Sequence, residues 1–412
     1  MARRRLHGQL LLRPTSTDRR GVAVTAILTA GCVLFACNAI TGREGAVGLL
    51  GPDASGGTAE DGSVAEAPDG SSSRDAGSDA EAVVDGDAPP GDAVSDAAAG
   101  PAIFATIDPP TSLVMDMVSD GAEVFWTTVD SCSSATKVTL HAKSVGATSS
   151  DPGRVVADLA TSGGACGFGT CFRVALSGQD VGVTVSSDPD GVVRTFGKDG
   201  TPRPILASGE PTPCALGFLV GRPIWSAVTA TTTRTIDADG RAVEAVPHVA
   251  FADFVTDGTD LFGFGRDYDV HRTVIDRFVA TDHLPERYRV FSDNFTQTGG
   301  LAVSANHLFF ALPTSGMIRM IPKGGGTSVL VADGIGKPQR LAWGDPFLYF
   351  VSWGPNDRGN GLVGKIRIGA ASPVGPVEPL ATGLELPEHV ALDDRHVYWF
   401  DSSVHAILRV RR

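Results

Sequence analysis

Of the 412 residues, 47 are acidic and 34 basic, giving a net charge of −13 that is spread very unevenly. Residues 1–37 carry six Arg and one Asp, residues 38–100 carry thirteen Asp or Glu against two Arg, and residues 101–412 are only mildly acidic at −7. The last segment holds all but one of the aromatic residues, so only it can build a large core. Its lack of an extended Lys/Arg cluster argues against nucleic-acid binding.

The chain opens with an address. Arg3, Arg4, Arg5, Arg13, Arg19 and Arg20 precede an apolar run from Gly21 to Cys37, broken only by the uncharged Thr25 and Thr29. A basic flank, a short apolar stretch and small residues at its end describe a secretion signal. About 17 residues is also the lower limit for spanning a bilayer, so an uncleaved anchor is the rival reading. Arg19-Arg20 is a weak twin-arginine pattern whose remaining motif is missing. Leu34-Phe35-Ala36-Cys37 resembles the lipobox of bacterial lipoproteins, with Phe35 departing from the small residue usual there. Ala30-Gly31-Cys32 is a second candidate. Cleavage at Cys37 leaves four other cysteines, an even number, whereas cleavage at Cys32 strands Cys37 unpaired. Cys37 is therefore the expected lipidation site, and a lipidated cysteine would anchor the chain firmly. By the same resemblance, Asn38 after the cysteine implies sorting to the outer membrane or cell surface of a two-membrane bacterium.

Residues 38–100 contain no Phe, Trp, Tyr or Lys and consist mostly of Ala, Gly, Asp and Ser. Such a composition cannot bury enough apolar surface to offset chain entropy, so a disordered tether is expected. As a flexible coil it would span about 45 Å, more with self-repulsion.

Residues 101–412 repeat. Leu301-Ala302-Val303-Ser304 leads to His307-Leu308-Phe309-Phe310-Ala311, then Met317-Ile318-Arg319-Met320-Ile321, then Val329-Leu330-Val331. Leu341-Ala342-Trp343 with Phe347-Leu348-Tyr349-Phe350-Val351 begins the next copy, and Val390-Ala391-Leu392 with His396-Val397-Tyr398-Trp399-Phe400 the last. Upstream copies start at Met115-Asp116-Met117-Val118, Val174-Ala175-Leu176, Leu216-Gly217-Phe218 and Phe254-Val255-Thr256. Equivalent turn positions at Gly121, Gly178, Gly221, Gly258, Ala305, Asp345 and Asp394 are 57, 43, 37, 47, 40 and 49 residues apart. That spacing fits four-stranded blades. The expected fold is all-β: a β-propeller of four-stranded antiparallel blades. Seven beginnings imply seven blades, or six if the diverged copies at 172 and 214 merge. The aromatic pairs Phe125-Trp126, Phe309-Phe310, Tyr349-Phe350 and Tyr398-Trp399 recur at one strand position and are read as packing between blades. The last copy ends after three strands, so Ile103-Phe104-Ala105-Thr106-Ile107 is expected to supply its fourth and close the ring.

Val397-Tyr398-Trp399 and Val124-Phe125-Trp126-Thr127, with the Leu-Ala-Val lead-in, resemble YWTD/NHL-type propeller repeats and uncharacterised lipoproteins of predatory soil bacteria (myxobacterial type). The resemblance implies the fold and leaves the function open.

Cys132, Cys166, Cys171 and Cys214 cluster early in this domain, and an exported chain meets oxidising conditions, so two disulfides are expected. Of three connectivities, Cys132–Cys166 with Cys171–Cys214 is preferred. Their spacing does not fit a zinc site. Asp188-Pro189-Asp190-Gly191 and Asp237-Ala238-Asp239-Gly240 look like half calcium loops but lack the bidentate Glu, so turns are expected. No hydrolase, metalloprotease or phosphate-loop motif is present, and no cofactor or metal is implied. The repeat alignment places Asp253, Gln339, Glu388 and His389 near the rim of a central channel. Two readings follow: a monomeric, tethered binding or scaffold module taking a protein or glycan on its loops, or a metal-dependent hydrolase or lyase using Glu388 and His389.

Overall fold

Side chains alternate along a strand, and that alternation decides the architecture. A sheet whose second strand reads Phe-Trp or Tyr-Phe presents a large apolar residue on both faces, and both must be covered. Stacking sheets face to face around an axis covers both, because each sheet then has two neighbours.

In this computed structural model the described residues are 100–412, apart from 131–136, 161–171, 187–190, 229, 296–297, 356–358 and 370–374. They form seven four-stranded antiparallel sheets, a seven-bladed β-propeller. The innermost strands of blades 1 to 7 are Leu113–Ser119, Val174–Ser177, Pro213–Leu219, Val249–Thr256, Leu301–Val303, Lys337–Gly344 and Pro387–Leu392. The diverged copies at 172 and 214 are separate blades. Residues 1–99, and with them the expected signal, Cys37 and tether, lie outside the described residues, as do Cys132, Cys166, Cys171 and the Asp188–Asp190 loop. Cys214 is buried on the innermost strand of blade 3. Asp237 forms a turn: its Oδ1 accepts from the amides of Asp239 at 3.0 Å and Arg241 at 2.8 Å.

The ring closes as the sequence implies. Ala102–Thr106 is the outer strand of blade 7, pairing Ile103 with Leu408 and Thr106 with Ala406. The first and last strands of the propeller are thereby joined in one sheet, and Ala406–Arg411 is paired on both sides.

All eight residues of the four aromatic pairs are buried. The first of each pair faces the following blade and the second the preceding one. Phe125 packs with Val174 and Val181 of blade 2, whereas Trp126 packs with Phe104, Tyr398 and Phe400 of blade 7. Phe309 packs with Leu348 and Phe350 of blade 6, and Phe310 with Phe262 and Phe264 of blade 4. A second inter-blade device sits near the turns that follow the innermost strands. Lys198 Nζ of blade 2 is 2.7 Å from Asp120 Oδ2 of blade 1, and Lys323 of blade 5 pairs with Asp257 of blade 4. In blade 7, Arg412 Nε donates to Tyr349 Oη of blade 6 at 3.2 Å.

Candidate functional site

Each innermost strand is joined to the second by a hairpin, which fixes equivalent positions around the channel. The pairs Ser119–Val124, Leu176–Val181, Phe218–Pro223, Thr256–Leu261, Val303–Leu308, Trp343–Leu348 and Leu392–Val397 all enclose four residues. Three residues upstream of each pair's first member stand Asp116, Arg173, Ala215, Asp253, Gly300, Arg340 and His389. One register position thus carries five charged or ionisable side chains and two positions without a polar group.

The strands are bulged here. Register shifts fall between Val114 and Asp116, Phe251 and Asp253, Pro338 and Arg340, and Glu388 and Val390. An extra residue re-aims the side chains beside it, and in blade 7 that extra residue is His389, with φ +52°. Glycine at position 300 has a steric cause. A Cβ there would lie 2.7 Å from Arg340 Cα, so blades 5 and 6 approach too closely for any side chain.

The ring members reach one another across blades. Arg173 Nη1 lies 3.6 Å from Asp116 Oδ1, and Arg173 Nη2 donates to the Ala252 carbonyl at 3.4 Å. Arg340 Nη1 lies 3.2 Å from Asp253 Oδ2, and His389 Nδ1 lies 3.4 Å from Asp116 Oδ1. Both aspartates also grip the next blade: Asp116 Oδ2 accepts from the Val174 amide at 3.0 Å, and Asp253 Oδ2 from the Leu301 amide at 2.9 Å.

The two aspartates differ electrostatically. Burial pushes Asp116 up, but Arg173, His389 and the Val174 amide outweigh it and hold the carboxyl below its usual range. For Asp253 burial wins, pushing it up to about 7 despite Arg173 and the Leu301 amide, with the nearby Asp116 charge adding to the rise. Glu388, one residue upstream of the ring, is also pushed up to about 7, by burial.

Below the ring lies a cavity of about 450 Å³ that extends to the ends of the innermost strands. Its walls are mostly apolar, from Met117, Leu216, Phe254, Leu301, Leu341 and Trp343 among others, while Asp116, Arg173 and Asp253 line its charged end.

Of the residues singled out from sequence, Asp253 and His389 belong to the ring. Gln339 and Glu388 stand one layer nearer the strand starts, and Gln339 Nε2 donates to the Lys337 carbonyl of its own strand at 3.2 Å. The structure brings in Asp116, Arg173 and Arg340, which the sequence reading missed. Among the described residues no three His, Cys, Asp or Glu side chains converge as a metal site. The neighbours of the ring carboxylates are guanidinium groups, backbone amides and the His389 imidazole.

No protein-family model matches the chain, and no curated protein matches it. Solved structures do. A catalytically inactive variant of virginiamycin B lyase from Staphylococcus aureus with quinupristin superposes with a TM-score of 0.54 at 12% identity, over 74% of this chain and 97% of the other. A streptogramin B lyase gives 0.50 at 14% identity, over 74% and 95%. A hydrazine synthase structure from Kuenenia stuttgartiensis gives 0.50 at 12% identity, over 75% and 97%. At these identities the likeness is one of fold. The chain shares the propeller, and its site must be argued from its own residues.

Proposed function

We propose that the protein is an exported, lipid-anchored propeller that acts as a binding module, with the central channel as its binding site. One observation carries the reading: a cavity of about 450 Å³ with mostly apolar walls ends on Asp116, Arg173 and Asp253, three of the five ionisable side chains at the ring position. Small-molecule sites combine an apolar cavity of roughly 300–1,000 Å³ with a few convergent polar groups that fix orientation. Among the described residues, protein or glycan recognition by the outer loops has no comparable built feature behind it. The signal at residues 1–37, lipidation at Cys37 and the acidic tether at 38–100 would place this channel outside the cell, held off the outer membrane. Disulfides among Cys132, Cys166, Cys171 and Cys214 would staple blades 1 to 3 there.

The test uses N-phenyl-1-naphthylamine, a neutral dye that brightens in apolar surroundings, with the purified full-length protein. Bound dye should quench Trp343, which lines the cavity. Val303→Trp, which fills the same chamber, is expected to weaken uptake about tenfold, or ~1.4 kcal/mol. Dye uptake unaffected by Val303→Trp would remove the channel as the site. Mass spectrometry of the membrane fraction tests the anchor: a diacylated Cys37 at the mature N-terminus is expected, and an unprocessed chain would refute it.

A second reading, catalysis, has one observation in its favour. Burial pushes Asp253 and Glu388, the residue before His389, up to about 7, the range suited to general acid–base work. Two solved propellers of this fold are lyases. In this reading Glu388 transfers the proton, and Glu388→Gln would abolish turnover while leaving dye uptake intact.

A further inference from the structure

The two faces of the propeller are not alike. Each innermost strand runs toward the mouth of the chamber, so in every blade its hairpin turn and the start of the outer strand lie on the mouth face. Among the described residues ten large apolar side chains are exposed, and eight of them stand on that side. Ile103, Val155, Ile205, Tyr288, Val329 and Leu330 occupy the first half of the outer strands of blades 7, 1, 2, 4 and 5. Val220 and Leu284 stand in two mouth-face turns, while Val270 and Val404 stand in turns of the opposite face. Exposed apolar residues scattered singly need no explanation. These gather on one face.

Val220 is the sharpest case. It is 76% exposed and holds φ +48°, a left-handed conformation that is costly for a β-branched residue. An exposed valine in that conformation gains nothing for the fold, and such strain points to a use for the side chain. Beside it a groove of about 310 Å³, walled by Leu219 and Pro285, separates this turn from the one that carries Leu284. Basic side chains of this face are engaged with carboxylates: Lys198 with Asp120, Lys323 with Asp257, Arg277 with Asp260, Arg154 with Glu123 and Arg203 with Asp180. Asp345 and Asp394 lie exposed in the same set of turns. Charge therefore draws no anionic partner here, and apolar surface is what the face offers.

We propose that the mouth face docks on a lipid bilayer whose head groups carry no net charge, with Val220, Leu284 and the mouth ends of the outer strands at head-group level. The occupant follows from where the chain enters. Ala102 pairs with Arg409 at the mouth end of blade 7, so the chain joins the propeller on this face. The assignment rests on the lipid anchor at Cys37 proposed above and goes beyond it. An anchor and a flexible coil of about 45 Å keep the domain near a membrane without choosing its orientation. Apolar side chains on one face make that choice, because contact with lipid removes them from water. Tyr288 adds an apolar ring with a polar tip, a combination suited to the membrane interface. Docked in this way, the chamber opens toward the lipid.

The experiment places the protein purified from the membrane fraction on phosphatidylcholine vesicles with brominated acyl chains, which quench tryptophan on contact. Two variants each add one tryptophan: Val220→Trp on the mouth face and Val404→Trp on the opposite face. The parent, with its five native tryptophans, supplies the background. Loss of the emission added by Val220→Trp is expected, with that added by Val404→Trp unchanged. Leu284→Trp, in the neighbouring mouth-face turn, should lose its added emission too, and it stands in should Val220→Trp fail to fold. Vesicle flotation separates the two ways to fail. Protein that floats with the vesicles while neither mouth-face tryptophan is quenched, or while Val404→Trp is quenched equally, overturns the docked face and leaves the anchor standing. Protein that stays behind when the vesicles float overturns both.

Discussion

The ring at Asp116 and the aromatic pair at Phe125-Trp126 lie on adjacent strands, and they obey opposite rules. At the aromatic position blades 1, 5, 6 and 7 use Phe-Trp, Phe-Phe, Tyr-Phe and Tyr-Trp, all buried. At the ring position the seven blades use Asp, Arg, Ala, Asp, Gly, Arg and His. Packing between blades poses the same problem at every interface and receives similar answers. The channel poses one problem shared by all seven strands, and each blade contributes a different part of the answer. Repetition in this chain therefore marks structure, and failure to repeat marks the site.

The comparison breaks most visibly in the core. Phe310→Ala should cost about 3–5 kcal/mol, since Phe310 is fully buried between blades 4 and 5. Chemical denaturation measures it; a loss below about 1 kcal/mol would mean that blade packing is not what holds the ring together.

Glu388→Gln sharpens the other side. The folded protein keeps a proton on Glu388 up to about pH 7, while the unfolded chain releases it near the ordinary glutamate value. Stability from this group is therefore intact below about pH 4.3 and is lost as pH rises through 7. The variant should be more stable than the parent at pH 8, by up to about 3 kcal/mol, and nearly equal to it at pH 5. Thermal melts at both values would show this, and equal differences at both would contradict the burial of a charge.

Lys198→Ala removes one inter-blade ion pair of partly buried groups and should cost about 0.5–1 kcal/mol, with the loss shrinking in high salt. Arg241→Ala, whose pair with Asp239 at 3.8 Å is 78% and 73% exposed, should leave the melting temperature unchanged.

Much of the fold was legible because blade packing writes itself into period-two apolar patterns and turn spacing. The count of seven, the closing role of Ile103 to Thr106 and the burial of the aromatic pairs all follow from these patterns. The site was half legible. Asp253 and His389 were found because acid and imidazole side chains stand out at the start of a strand. Asp116, Arg173 and Arg340 were missed, although each directly precedes the apolar lead-in of its own copy: Met117-Val118, Val174-Ala175-Leu176 and Leu341-Ala342-Trp343. The signal was a column in the repeat alignment in which no residue type recurs. Arginine and aspartate there read as solvated strand ends until the ring shows them meeting across the channel, Arg340 with Asp253 at 3.2 Å across the gap left by Gly300. The bulges that align them are also invisible in the pattern, because an extra residue in a strand leaves the flanking alternation intact on either side.

A crystal of the protein grown with 10-bromo-1-decanol, measured at the bromine absorption edge, tests the central claim, that the channel is the binding site, most directly. The account predicts one strong anomalous peak inside the chamber walled by Met117, Leu341 and Trp343. Bromine found only on the outer strands of the blades, or a chamber holding nothing at saturating ligand, would contradict it.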